Sequence, residues 1–276
     1  MIHSPFESFV LWQWGWLFPL PALAISFFAF GLLWLLSLAM KDASLVDRFW
    51  GLGFLVVVGV YYANNPAKDW RNSLVVALLA IWAVRLSLHI HLRNSGKGED
   101  RRYSDMRQRH PHFALWSLFF VFCLQATLLV VISLPLLYMQ ILRGPSNASL
   151  WDALGALLWG VGFFFEALGD WQLKQFKSKP ENINKVCRVG LWNLTRHPNY
   201  FGEALIWWGF SSFGLNLPMG VFFSVSPILI TLLLLKVSGV SLLEKDQVQR
   251  KPEYAAYQKE VPAFFPRLAA SRRSKP

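Results

Sequence analysis

Residues 191–209, LWNLTRHPNYFGEALIWWG, set an arginine and a histidine just before a proline, then enter an apolar stretch with a carboxylate in its first turns. Pro198 suits the first position of a helix, where its fixed φ is pre-organised and its missing N–H costs nothing. Thr195 or Asn199 is placed to cap that end. Arg196 and His197 then stand beside backbone N–H groups with no partner inside the helix. The chemistry this predicts is capture of a phosphate, sulfate or carboxylate. Tyr200 and Glu203 lie in the same first turns, where a glutamate also does the plainer work of complementing the helix dipole.

A second pattern precedes it. Glu166, Asp170, Lys174 and Lys177 are spaced by four, four and three, so a helix carries them as one stripe that begins in an apolar run and ends in polar sequence. Such a stripe could line a groove, with carboxylates bonding hydroxyls or amides and lysines meeting phosphates at the mouth. The alternative is a pair of helix-end ion pairs worth a few tenths of a kcal/mol. Membrane-embedded carboxylates seldom serve solvation, which favours the groove for Glu166. Arg85, His89 and Arg93 share a face at intervals of four, with His91 turned away from them; Arg85, inside an apolar run, is expected to face the bundle interior. The polar segment 93–112 gathers Gly96, Lys97, Gly98, Glu99, Asp100, Arg101, Arg102 and Tyr103, a mixture able to approach and bond a ligand or simply to mark the cytosolic side. Towards the C-terminus, Glu244 falls below the last apolar run. Tyr254 and Tyr257 sit at i, i+3 on a short helix expected to begin near Pro252, and near a bilayer such tyrosines are more often interfacial anchors than catalysts.

The elements that position these residues are read from composition. A chain of 276 residues with 54% hydrophobic and 16% charged residues is too apolar for an ordinary soluble domain. Apolar runs near Trp16–Met40, Phe49–Ala63, Ser73–Leu92, Phe113–Met139, Trp151–Gly169, Phe201–Leu215 and Gly220–Gly239 approach the ~20 residues a spanning helix needs. The prediction is an all-α polytopic membrane helix bundle of about seven transmembrane helices, the second and sixth short. With the N-terminus outside and the C-terminus cytosolic, 23 of the 27 lysines and arginines fall on the cytosolic side. The +11 net charge is then mostly topology, with attraction for anionic lipid or cofactor second. Basic residues split among loops hard against a bilayer do not support nucleic-acid binding. Residues 1–15 lack a basic n-region, which argues against a cleaved signal peptide. Cys123 and Cys187 lie in different environments, leaving neither a disulfide nor a metal site to expect. One membrane-embedded domain, 1–276, is read, ending in a flexible basic stretch at 269–276.

The segments DASLVDRFWG (42–51), GKGEDRRY (96–103), GLWNLTRHPNYFGEALIWWG (190–209) and the tail from LLLLKVSGVSLLEK to YAAYQKEVPAFFP together resemble the bacterial-type membrane family grouped with the steroid 5-alpha-reductase C-terminal domain. The resemblance spans nearly the whole chain. To the reductases themselves it lies mainly in 151–268. It implies a seven-helix bundle that holds NADPH in a cytosol-facing cavity and reduces an activated carbon–carbon double bond in a lipophilic enone. Asp170, Lys174 and Lys177 match an aspartate and two arginines that contact the dinucleotide, and Arg188, Asn199 and Glu203 match an arginine, asparagine and glutamate of that region. The reductases' His-Tyr-x-x-Arg segment is represented by His89-Ile90-His91-Leu92-Arg93, without a tyrosine. The acid role passes to His91, His89 or Tyr103, and Asp47 stands in for the reductases' early glutamate. The Arg-His-Pro-x-Tyr-x-Gly pattern and the Glu, Tyr-x-x-Tyr, Val-Pro tail also resemble membrane methyltransferases that use S-adenosylmethionine.

The expectation is an NADPH-dependent reductase in a bacterial inner membrane, or in the endoplasmic reticulum of a eukaryote. Its partners are a lipophilic substrate and membrane lipid, with no obligate protein partner. Methyl transfer to a lipid, or lipid binding without chemistry, are the alternatives.

Overall fold

The computed structural model describes residues 18–66, 68–237 and 240–267; the N-terminal 15 residues and the basic stretch 269–276 lie outside them. The described residues are helical and contain no strand. The chain forms two compact units, Met1–Ser146 and Asn147–Pro276.

In the first unit, α1 (Leu20–Met40), α2 (Leu45–Asn64), α3 (Trp70–Asn94) and α5 (Phe113–Met139) are each long and apolar enough to cross a membrane, and the short α4 (Arg101–Arg109) links α3 to α5. The buried residues of α1, Ala22, Ser26, Phe30 and Ser37, recur on one helical face, leaving the rest of its surface to lipid. On α2 the helix begins at Leu45, so the span is 20 residues and not as short as the apolar run alone implies. Gly51 lets α2 approach α3: a Cβ there would stand 3.1 Å from the Ala83 carbonyl oxygen. At the start of α3, Asp69 and Asn72 close a capping box, each side chain accepting the other's backbone N–H. α5 is the most buried span, and its π-helical turn at Leu118–Cys123 shifts the register of the side chains that follow.

In the second unit, α6 (Leu150–Lys177) starts at a Ser149–Asp152 capping box and ends before Pro180. It runs two turns beyond the apolar segment because WQLKQFK continues the helix while changing its solvent. α7 (Pro198–Gly214) lies against it along glycines seven residues apart, Gly155 and Gly162 facing Gly209 and Gly202. A Cβ on Gly162 would meet the Gly202 carbonyl at 2.6 Å, and one on Gly202 the Glu166 backbone nitrogen at 2.4 Å. Such contact is how apolar helices adhere where no hydrophobic effect drives them together. A 3-10 turn at Gly220–Ser224, α8 (Val225–Leu232) and a π turn at Leu233–Val237 form a shorter apolar segment. The tail helices α9 (Val240–Arg250) and α10 (Tyr254–Glu260) follow. Among the described residues, five helices thus meet the length and hydropathy of a membrane span, and the Gly220–Lys236 segment is a shorter apolar helix.

Candidate functional site

Asp47 and Tyr103, separated by more than fifty residues, meet in the first unit. α2 carries Asp47 in its first turn and α4 carries Tyr103, itself only 5% exposed. The phenol donates to Asp47 Oδ1 at 2.7 Å and receives a longer contact from Gln125 Nε2 at 3.4 Å. Arg102 Nη2 donates to the other oxygen of Asp47 at 2.7 Å, and its Nε bonds Asp100 at 3.1 Å. Burial first, and then the neighbouring Asp47 charge, push the Tyr103 phenol well above its ordinary value. The phenol is therefore a protonated, buried acid held by a carboxylate whose charge an arginine offsets.

The surrounding loop is knit by carboxylates. Glu99 takes two bonds from Arg107, at 2.9 and 2.7 Å, and one from the Ala43 N–H at 2.8 Å. Asp42 bonds Arg48 at 2.7 Å and the Ser44 N–H at 3.0 Å. Burial would raise Glu99 and Asp100, yet hydrogen bonds and charge from Arg107 and Arg102 respectively leave both below the ordinary range. Residues 42–48 and 99–107 therefore fold together. Gly96 and Gly98 adopt φ of +74° and +72° with open space beside them, so they serve the turn into α4. His91 is exposed on α3, and His89 and Arg85 on the same helix are half-buried. Between α1 and α2 lies a cavity of about 310 Å³ with an almost wholly apolar lining, including Phe30, Leu33, Leu52 and Val56.

In the second unit the expected stripe lies on α6, with Glu166 and Asp170 buried and Lys174 and Lys177 exposed. Asn199, in the first turn of α7, donates to Asp170 Oδ1 at 3.2 Å, while its own Oδ1 is buried without a partner. Pro198 takes the first helical position as expected. The cap does not follow the sequence reading. His197 occupies that position without a side-chain capping bond, because Thr195 turns its hydroxyl to the Phe264 carbonyl at 2.9 Å and Asn199 is already inside the helix.

Arg196 and His197 do meet an anion, and it is Glu244. Arg196 grips that carboxylate at 2.7 and 3.0 Å, His197 Nε2 lies 3.0 Å away and Gln258 donates at 2.7 Å. Burial alone would raise Glu244, but the bonds from His197, Arg196 and Gln258 hold it down at about 2. Tyr254 is raised by burial and then by Glu244, and Tyr257 is raised by burial while its hydroxyl donates to the Trp192 carbonyl. Arg188 pairs with Glu260 at the surface and lies 5.1 Å over the Tyr257 ring. Tyr200 stacks on His197 with ring centres 5.4 Å apart, and Glu203 is half-buried on the next turn. The residues expected to hold a cofactor therefore divide into an α6–α7 group (Glu166, Asp170, Asn199, and Lys174 and Lys177 beyond) and a tail group centred on Glu244.

Residues 33–261 match the family described as "Protein of unknown function (DUF1295)". The chain belongs to that family. A curated relative, the uncharacterized protein C594.04c of Schizosaccharomyces pombe, is 27% identical over 90% of this chain and 80% of its own length. No solved structure matches. The DUF1295 match includes the Asp47–Tyr103 pair, the α6–α7 seam and the Glu244 cluster. Sequence reasoning missed Gln125, Gln258 and the glycine seam. The heptad spacing of Gly155, Gly162 and Gly169 was a readable signal for the seam, whereas nothing local marks the two glutamines.

Proposed function

We propose that this DUF1295 protein is a membrane-embedded, NADPH-dependent reductase of an activated carbon–carbon double bond in a lipophilic enone, related to the steroid 5-alpha-reductases. In this reading it spans the membrane seven times, with the N-terminus outside and the C-terminus cytosolic. The observation that carries it is the buried Tyr103 phenol bonded to Asp47: the reductases' tyrosine is missing from the 89–93 segment, but a tyrosine–carboxylate pair is built from α4 and α2 instead.

The α6–α7 group fits a dinucleotide. The orphaned Asn199 oxygen is an acceptor awaiting an N–H or O–H, the Asp170 carboxylate is beside it, and the exposed Lys174 and Lys177 follow on the same helix for phosphate. NADPH would supply the hydride. In this reading the Tyr103 O–H turns from Asp47 to the enone carbonyl and gives up its proton as negative charge develops on that oxygen; Asp47 orients the phenol beforehand, and the Arg102 guanidinium beside the ring offsets the phenolate charge that Asp47 opposes. The carbonyl becomes an enol, which returns to the saturated ketone with a proton on the α-carbon. The apolar α1–α2 cavity, within the size range of small-molecule sites, suits an occupant that arrives from lipid.

The test is the Tyr103→Phe variant in a reductase assay over a panel of lipophilic enones. Reduction falls by about 10²–10⁴ while stabilisation by NADPH persists. Full activity in the variant would remove Tyr103 from the mechanism.

A further inference from the structure

The Glu244 cluster is an oxyanion cradle filled from within the chain. Two guanidinium nitrogens of Arg196, at 2.7 and 3.0 Å, and His197 Nε2, at 3.0 Å, converge on one carboxylate. That two-nitrogen edge matches a phosphate as well as it matches a carboxylate. The pair is only 10% and 12% exposed, so the two charges have largely given up water for each other.

The same arginine fastens the tail. Its Nη1 donates to the Gln258 and Val261 carbonyls at 2.8 and 2.6 Å, and its backbone N–H donates to Pro262 at 2.9 Å. Thr195 holds the Phe264 carbonyl, and the Arg267 N–H bonds Leu194 at 2.9 Å. Residues 258–267 are thus a strap laid over 194–197, and the Gln258 side chain, donating to Glu244, links the strap to the ion pair.

We propose that Glu244 is a built-in competitor at this site: its carboxylate and a phosphate oxyanion are alternative occupants of the Arg196–His197 pair, and the arrival of phosphate loosens the 258–267 strap. The identity of the phosphate carrier as NADPH rests on the reductase reading, while the competition does not.

Hydrogen exchange on the full-length protein in detergent tests it, reading the Arg196 and Arg267 amides with inorganic pyrophosphate or NADPH added. Saturating pyrophosphate speeds exchange at both amides by about threefold or more, and Glu244→Gln binds pyrophosphate about tenfold more tightly than the native protein. Gln258→Ala, which removes one donor without stranding a charge, moves both quantities in the same direction by less and serves if Glu244→Gln does not fold. Unchanged or slowed exchange, or pyrophosphate binding no tighter in the variants, would overturn the proposal. A response to pyrophosphate without one to NADPH supports the competition and removes NADPH as the carrier.

Discussion

Tyr103 and Glu244 show what burial does to single side chains here. For Tyr103, burial and a carboxylate neighbour both keep the proton on. For Glu244 burial opposes ionisation, and the donors of Arg196, His197 and Gln258 overcome it. The sign of the pH dependence follows. A carboxyl held at about 2 in the folded protein, against an ordinary 4.5, adds stability that is complete above pH ~4.5 and is lost as pH falls towards 2. Its size is about 3 kcal/mol, by the rule of 1.36 kcal/mol per pKa step. Acid should therefore release the tail before it melts the membrane helices, which limited proteolysis of residues 250–267 across that pH range checks; a tail protected to pH 2 would contradict it. Glu244→Ala, which leaves Arg196 buried without its partner, is expected to cost about 3–5 kcal/mol in thermal or denaturant unfolding.

Among the elements, the α6–α7 seam decides the second unit. Gly162→Leu must drive a side chain into the α7 backbone, where even a Cβ would lie 2.6 Å from a carbonyl oxygen, so destabilisation above about 3 kcal/mol is expected. Gly160 has nothing within 4 Å of its Cβ position, and Gly160→Ala should be neutral or stabilising by up to about 1 kcal/mol. Comparing the two variants by thermal unfolding in detergent checks the seam, and equal stabilities would remove it. Hydropathy records the solvent each residue meets, and five of its seven expected spans coincide with described helices long and apolar enough to cross a membrane. It misjudged the start of α2, where Asp47 and Arg48 already lie in the helix before the apolar pattern begins, and the end of α6, where polar residues continue the helix after that pattern stops. The α6 stripe was legible from spacing. The Asp47–Tyr103 and Arg196–Glu244 pairings were not, since they depend on which loops and tails fold back over fifty or so residues, and periodicity carries no such information.

For the molecule as a whole, the distribution of lysine and arginine predicts a single orientation, with 93–112, 170–200 and the tail on the cytosolic side. Single cysteines placed at exposed positions, Lys97→Cys, Lys179→Cys and Arg143→Cys, in a protein otherwise lacking cysteine, read it with a membrane-impermeant thiol reagent. The first two should label only from the cytosolic side and the third only from outside; any exchange of sides would overturn the seven-span arrangement. The proposed binding of NADPH for reduction is tested most sharply by thermal stabilisation of the purified protein with NADPH, NADH and S-adenosylmethionine side by side. At 100 times its Kd a ligand adds about 2.7 kcal/mol. Stabilisation by NADPH and none by S-adenosylmethionine is expected; stabilisation by S-adenosylmethionine alone would overturn the reductase and point to methyl transfer.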